Sequence, residues 1–204
     1  MNKNLKVLFL TNNDNTRELS DWLSLRTDLI RMEEKIDLSM IKSIEPDLVV
    51  SFNYVYLIKQ DVIDYMKGRI LNLHISYLPW NRGFSPNFWS HVDGTPKGVT
   101  IHLINAGLDK GDILFQKQIE FDSSVETFAS SYERLMKEMM ELFRENWTVI
   151  EAGTYQPVKQ VETCSYHCKK DLEEMAKMCP FEWSDNIDAY LAKYRKVMEE
   201  NRYE

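Results

Sequence analysis

The chain has 204 residues, 44% of them apolar and 28% charged, with 32 acids against 25 bases and a net charge of −7. That composition excludes a mainly disordered chain, and the length suffices to bury roughly 70% of the unfolded surface. The charge is spread along the chain (ten acids and seven bases follow Gln160), so the concentrated basic face of a sequence-independent nucleic-acid binder is missing.

In chain order, residues 5–10 (LKVLFL) predict a buried strand, and 11–15 (TNNDN) a turn. Asn15 is placed to cap a helix, with Glu18 three residues on and Leu19, Trp22 and Leu23 as its apolar face. A second strand is expected around 36–40 and a short helix over 39–44, ahead of Pro46. Residues 47–52 (DLVVSF) read as a buried strand, 60–66 as a helix, and 69–76 (RILNLHIS), 98–104 (GVTIHLI) and 112–121 as further strands. Residues 124–150 form the clearest helix, with Val125, Phe128, Tyr132, Leu135, Met136, Met139, Leu142 and Phe143 at three- and four-residue spacing. Ser123 and Glu126 fit a capping box at its start. A strand over 156–161 follows, then helices over 169–178 and 186–201, separated by Pro180.

Strands alternating with helices imply an α/β fold of Rossmann-like type, a mostly parallel sheet flanked by helices. The expected domains are 1–160 and a short, mainly helical C-terminal extension, 161–204. The apolar faces of that extension either dock on the first domain or make a homodimer. Ligands of such sheets sit beyond the carboxyl ends of strands, so the loops after Phe52, Ser76 and Ile104 are the places to look. The apolar runs 7–10 and 48–50 are far below the roughly 20 residues of a membrane span. The N-terminus lacks the apolar core of a secretory signal. A cytoplasmic protein with no membrane partner is expected. The three cysteines, Cys164, Cys168 and Cys179, read as free thiols: C-x-x-H-C, with His167, is a poor zinc pattern.

Residues 71–113 concentrate the polar chemistry, including three of the four histidines. Asn72 and His74 lie two apart on one strand and so share a face. Asp109 lies in a Gly-bounded turn. An amide donor, an imidazole and a carboxylate together can run an acyl transfer: the amide steadies an oxyanion, the imidazole moves a proton, and the carboxylate orients the imidazole. His102 reads as structural support for that strand, His91 as a helix-surface residue, and His167 as a surface or packing residue.

The wording Asn72-Leu-His74-Ile-Ser76-Tyr-Leu78-Pro79, then Arg82-Gly83 and Pro86, Gly98-Val-Thr-Ile-His102, and Leu108-Asp109-Lys-Gly111-Asp112-Ile113, resembles the folate-dependent formyltransferase family. That family includes enzymes acting on glycinamide ribonucleotide, methionyl-tRNA and sugar nucleotides. The resemblance covers residues 47–121 well. It implies that Asn72, His74 and Asp109 are catalytic, that N10-formyltetrahydrofolate is the formyl donor, and that no metal takes part. It also implies a folate pocket made by Tyr54, Val55, Tyr56, Leu57 and Ile58, with Ile104, Asn105 and Leu108 opposite. Asn53 stands where such proteins often have glycine.

The departures from the family narrow the acceptor. The 11–15 loop has no glycine, unlike the phosphate loop of the glycinamide ribonucleotide enzymes, and the tail is too short and acidic for the barrel of the tRNA enzymes. The wording of 77–90 is similar to compact enzymes acting on a nucleotide-linked amino sugar in cell-surface glycan synthesis, including pseudaminic-acid-type sugars. Asn12, Asn13, Trp80, Arg82 and Phe84 are then the expected substrate-binding residues. The alternatives are formylation of a carrier-bound aminoacyl group and hydrolysis of formyltetrahydrofolate.

Overall fold

The continuous apolar runs build the centre of a sheet, as buried parallel strands require. In the computed structural model, which describes residues 4–200, β1 (Lys6–Leu10) and β3 (Leu48–Phe52) are buried along almost their whole length. With β2 (Asp28–Met32), β4 (Ile70–His74), β6 (Gly98–Leu103) and β7 (Ile113–Gln118) they form a six-stranded sheet in the order β2-β1-β3-β4-β6-β7. The first four strands are parallel, and β6 runs antiparallel to β4. The fold is thus the expected α/β type with a mostly parallel sheet flanked by helices. The connections after β1 and β3 diverge to opposite sides, which opens the switch point where ligands of such sheets bind.

The chain separates into two compact units. One takes in the chain up to His74 together with Thr100–Gln116 and Met139–Gln160. Its core joins Leu8, Leu10, Val49 and Ile70 of the sheet to Ile41 of α2 (Leu38–Ile44) and to Val62 and Met66 of α3 (Gln60–Met66). On α1 (Arg17–Ser24), Trp22 meets Trp147 of α6 (Trp147–Ala152) edge to face at 5.9 Å.

The other unit takes in Ile75–Val99, Lys117–Glu138 and the chain from Val161. Its core is aromatic: Phe88 and Trp89 of α4 (Pro86–Val92) with Phe128 at the start of α5 (Phe128–Glu145). Met175 and Cys179, on and just after α7 (Lys169–Met178), pack there with Ile187 and Tyr190 of α8 (Ile187–Glu200). The apolar faces of both tail helices are therefore used inside this unit. A two-residue strand, β8 (Tyr166–His167), pairs with β5 (Arg82–Gly83).

Several expected elements differ, each for a local reason. No strand forms at 36–40, because the Asp37 side chain accepts from Met40 N and starts α2. The second strand lies instead at Asp28–Met32, a half-buried edge whose Asp28 and Arg31 hide its apolar residues. Asn15 does not cap α1; Asn13 accepts from Asn15 N and caps a short 3₁₀ turn ahead of it. The long helix starts at Phe128, not 124, because Thr127 and Ser130 exchange side-chain and backbone hydrogen bonds at 2.9 and 3.0 Å. That reciprocal pair, not Ser123 and Glu126, is the capping box, and Val125 stays outside the helix, 74% exposed. At 156–161 there is only one bridge, Val158 to Ile113. The predicted end of the last helix, Asn201, lies outside the described residues. Among the described residues no helix is long and apolar enough to cross a membrane. All three cysteines are free; Cys168 caps α7.

His91 is not on a helix surface. It lies on α4, 5% exposed, and its Nε2 has no hydrogen-bond partner. Burial, reinforced by the nearby Lys97 ammonium, lowers its pKa to about 4. The folded state therefore holds a neutral imidazole that the unfolded chain protonates near pH 6.5. The sign follows: stability is intact above about 6.5 and falls as pH drops toward 4, by up to roughly 3 kcal/mol. Urea titrations between pH 4 and 7 should show this loss in the natural chain, and a much smaller one in His91→Leu. Equal slopes would contradict it.

Gly83 makes a second case. Its φ is +93°, and a Cβ there would overlap the His167 carbonyl oxygen and touch the Tyr166 ring. Gly83→Ala should therefore lower stability by about 1–3 kcal/mol, read as a fall in Tm.

Candidate active site

β4 and β6 bring the polar residues together by register. Asn72 and His74 project from one face of β4, and Asn72 is paired directly with His102 on β6. After β6 the chain makes a tight excursion and returns. Leu103 N donates to Asp112 O at 2.9 Å. The return is so close that a Cβ at Gly111 would overlap the Leu103 carbonyl oxygen. Within the excursion the Asn105 side chain accepts from Gly107 N at 2.9 Å, and Asp109 takes a left-handed φ of 51°. Asp is among the residues that tolerate that conformation.

The result is a cluster with Asp109 Oδ1 at its centre. Asn72 Nδ2 donates to it at 3.3 Å; His102 Nε2 lies at 3.6 Å and His74 Nδ1 at 3.8 Å. His74, His102 and Asp109 are all at least nine-tenths buried. His102 Nδ1 lies 2.7 Å from Leu103 O. A carbonyl only accepts, so that nitrogen carries a proton. Nε2 then accepts from Asn72 Nδ2 at 3.1 Å, which fits a neutral ring. The two imidazoles sit edge to face, 6.1 Å between centroids. A donor amide, a carboxylate and two rings gathered in this way can stabilise a developing oxyanion and move a proton.

The structure thus brings Asn72, His74 and Asp109 together, the three residues that the family resemblance singled out, and adds His102 as a direct partner of Asn72. A further residue escaped sequence reasoning. Gln160 Nε2 donates to the carbonyls of Asp109 and Gly111 at 2.8 and 2.7 Å. No periodicity or motif marks it.

The 53–58 loop divides by environment. Asn53 has φ 53°, which accounts for glycine's fitness at this place. Tyr54 is tied down: its Oη donates to Glu34 O at 2.7 Å and accepts from Ile36 N at 3.0 Å. Burial raises its pKa. Tyr54, Ile58 and Ile104 pack on the core, whereas Val55, Tyr56, Leu57 and Leu108 are exposed, Leu57 by 74%. Asn105 is exposed too.

Asn12 and Asn13 both hold backbone. Asn12 Oδ1 accepts from Val55 N at 3.0 Å, and its Nδ2 donates to Glu33 O at 2.7 Å. Asn13 is the cap already described. Trp80, Arg82 and Phe84 belong to the other unit, where β8 fixes their loop. Arg82 N donates to Ser165 O at 3.0 Å and Phe84 N to His167 O at 2.8 Å. Arg82 is buried and Phe84 exposed. His167 is a packing residue there: its ring stacks on Trp89 at 3.8 Å, and Nε2 lies 2.7 Å from Asp93 Oδ2.

The chain is similar to known proteins over most of its length. The family model described as formyl transferase matches residues 24–146. PseJ, a formyltransferase from Anoxybacillus kamchatkensis solved with UDP-4,6-dideoxy-4-formamido-L-AltNAc and tetrahydrofolate, is similar at 35% identity and a TM-score of 0.84, covering 92% of this chain and 98% of that one. Rv3404c from Mycobacterium tuberculosis, a candidate sugar N-formyltransferase, is similar at 29% identity and a TM-score of 0.75, covering 84% and 78%. Methionyl-tRNA formyltransferase of Bacillus thuringiensis (strain Al Hakam) is 29% identical over 150 residues, which are 72% of this chain and 48% of that one. The chain spans about half the length of the curated relatives it matches. With 24–146 matched by the family model and an N–H donor, imidazole and carboxylate gathered within that stretch, the chain belongs to the formyl transferase family.

Proposed function

We propose that this protein transfers the formyl group of N10-formyltetrahydrofolate to the primary amine of a nucleotide-linked amino sugar, in the synthesis of a formylated cell-surface glycan. The observation that carries the reading is the Asn72–His74–Asp109 cluster, its imidazole and carboxylate buried, with the 3.3 and 3.8 Å contacts to one carboxylate oxygen. The likeness to PseJ over 98% of that chain supports the acceptor class.

The folate derivative, when bound, supplies an activated formyl carbon. The exposed apolar side chains of Val55, Tyr56, Leu57 and Leu108 suit a flat ring system. Asn72 has two amide protons, one on His102 and one on Asp109. The Asp109 contact is the longer, so it is the one Asn72 gives up to donate to the formyl oxygen. His74, with Nδ1 toward Asp109, turns Nε2 away from that carboxylate. Through Nε2 it takes up the proton that the amine loses, and the N–H so formed then supports the same developing charge. The amine nitrogen gains the formyl carbon as the bond from that carbon to folate N10 breaks. The proton lost by the amine ends on N10, so the products are a formamido sugar and tetrahydrofolate. Asp109 holds His74 and helps pass that proton.

The test is turnover of UDP- and dTDP-linked 3- and 4-amino sugars with N10-formyltetrahydrofolate, read by mass for one added formyl group. A UDP-linked 4-amino sugar is expected to be formylated. Loss of one donor or one proton-transfer group costs about 10²–10⁴ in rate, so Asn72→Ala and His74→Ala should each fall in that range. Formate release without any formylated sugar would replace this reading by hydrolysis.

A second measurement addresses the folate wall. Leu57 is 74% exposed, so Leu57→Asp should leave Tm within about 2 °C, because surface changes of this kind cost ~0.5 kcal/mol or less. It should weaken binding of 5-formyltetrahydrofolate at least severalfold by calorimetry. Unchanged affinity would remove residues 55–57 from the site.

A further inference from the structure

Asp109 is placed by its backbone, and the side chain of Gln160 reaches in from outside the turn to hold that backbone. Gln160 is half-buried, and its single amide nitrogen donates to both Asp109 O and Gly111 O. Two carbonyls two residues apart converge on one nitrogen only where the chain between them is curled, as the left-handed Asp109 makes it. Gln160 is itself anchored: two residues earlier, Val158 exchanges both backbone hydrogen bonds with Ile113 at 2.8 Å. From these contacts we propose that Gln160 is a positioning residue, which sets the Asp109 carboxylate against Asn72, His74 and His102 by locking the 109–111 turn. The proposal rests on the reading of Asp109 as part of the catalytic group.

The chemistry of the residue suits this task. A primary amide brings two donors and no charge, so it fixes the turn without competing for the carboxylate 109 presents to the histidines. A methionine of similar length has no donor. A glutamate sets a second negative charge against two carbonyl oxygens, and can donate a single hydrogen bond only once it is protonated.

The experiment is a double-mutant cycle on the whole chain. Gln160→Met should lower kcat about 10- to 100-fold with KM for the formyl donor within threefold. In an Asp109→Asn background the same change should cost less than threefold, since the positioned group has already been altered. Gln160→Glu should be impaired at pH 8, and its ratio to the natural enzyme should recover as pH is lowered toward the carboxyl range near 4–5. The ring proton signals of His74 and His102 should shift in Gln160→Met without any ligand present. Additive losses, an equal rise in KM, or failure of Gln160→Met to fold cooperatively would each assign Gln160 an ordinary structural role and overturn the proposal. Natural activity in Asp109→Asn would instead overturn the reading of Asp109. The ring signals, which need no turnover, would still decide whether Gln160 places that carboxylate.

Discussion

The site depends on how closely the 104–112 excursion falls back on β6. Leu103 and Asp112 are hydrogen-bonded at the mouth of that excursion, and only a residue without a Cβ fits at 111. With its ends pinned there, the turn must curl, and Asp109 accepts a left-handed backbone to do it. The carboxylate then lies over the face of the β4–β6 pair from which Asn72, His74 and His102 project. Non-glycine residues in this region are uncommon and tend to gather where surrounding structure over-determines them. Here the over-determination has named parts: Gly111, the Leu103–Asp112 bond, the Asn105 cap on Gly107, and the Gln160 amide.

The register of one strand pair does the rest. Because β4 and β6 are antiparallel and Asn72 is opposite His102, two residues 30 positions apart meet without any loop between them. His102 in turn is fixed by its own neighbour, Leu103 O, which selects the tautomer able to accept from Asn72. Electrostatic preorganisation of this sort is inexpensive at the moment of reaction, since the dipoles are aimed before substrate arrives.

Legibility in the sequence followed burial. Strand 48–52, buried throughout, declares itself by an apolar run broken only by Ser51, and strand 70–74 by Ile70, Leu71 and Leu73 around the polar Asn72 and His74. Edge strand 28–32 does not, because Asp28 is exposed, the other four residues are only half-buried, and Asp28 and Arg31 interrupt the apolar run. The Val125 error has the same root: apolar spacing continues through it, while the Thr127–Ser130 exchange decides where the helix begins. In the site, the strand period shows that Asn72 and His74 share a face and the flanking glycines put Asp109 in a turn, but it is the family wording around them that joins the three. His102 needed the cross-strand register. Gln160 needed the tertiary fold, since an amide that binds backbone carbonyls 49 and 51 residues away leaves no local pattern.

Side-chain amides recur as the fasteners of this molecule. Asn12 joins the backbones of Val55 and Glu33; Asn87 donates to Phe128 O and accepts from Ser131 Oγ; Asn186 donates to the carbonyls of Ser123, Ser124 and Glu126. Each closes a gap between segments that do not form regular ladders, where buried or half-buried backbone groups still need partners. A charged side chain would satisfy the same groups while adding a field. Beside the Asp109 carboxylate that field would compete with the histidines for it. A neutral fastener holds the loops and leaves the electrostatics to Asp109, which is the reason the positioning role falls to a glutamine and not to a lysine or arginine.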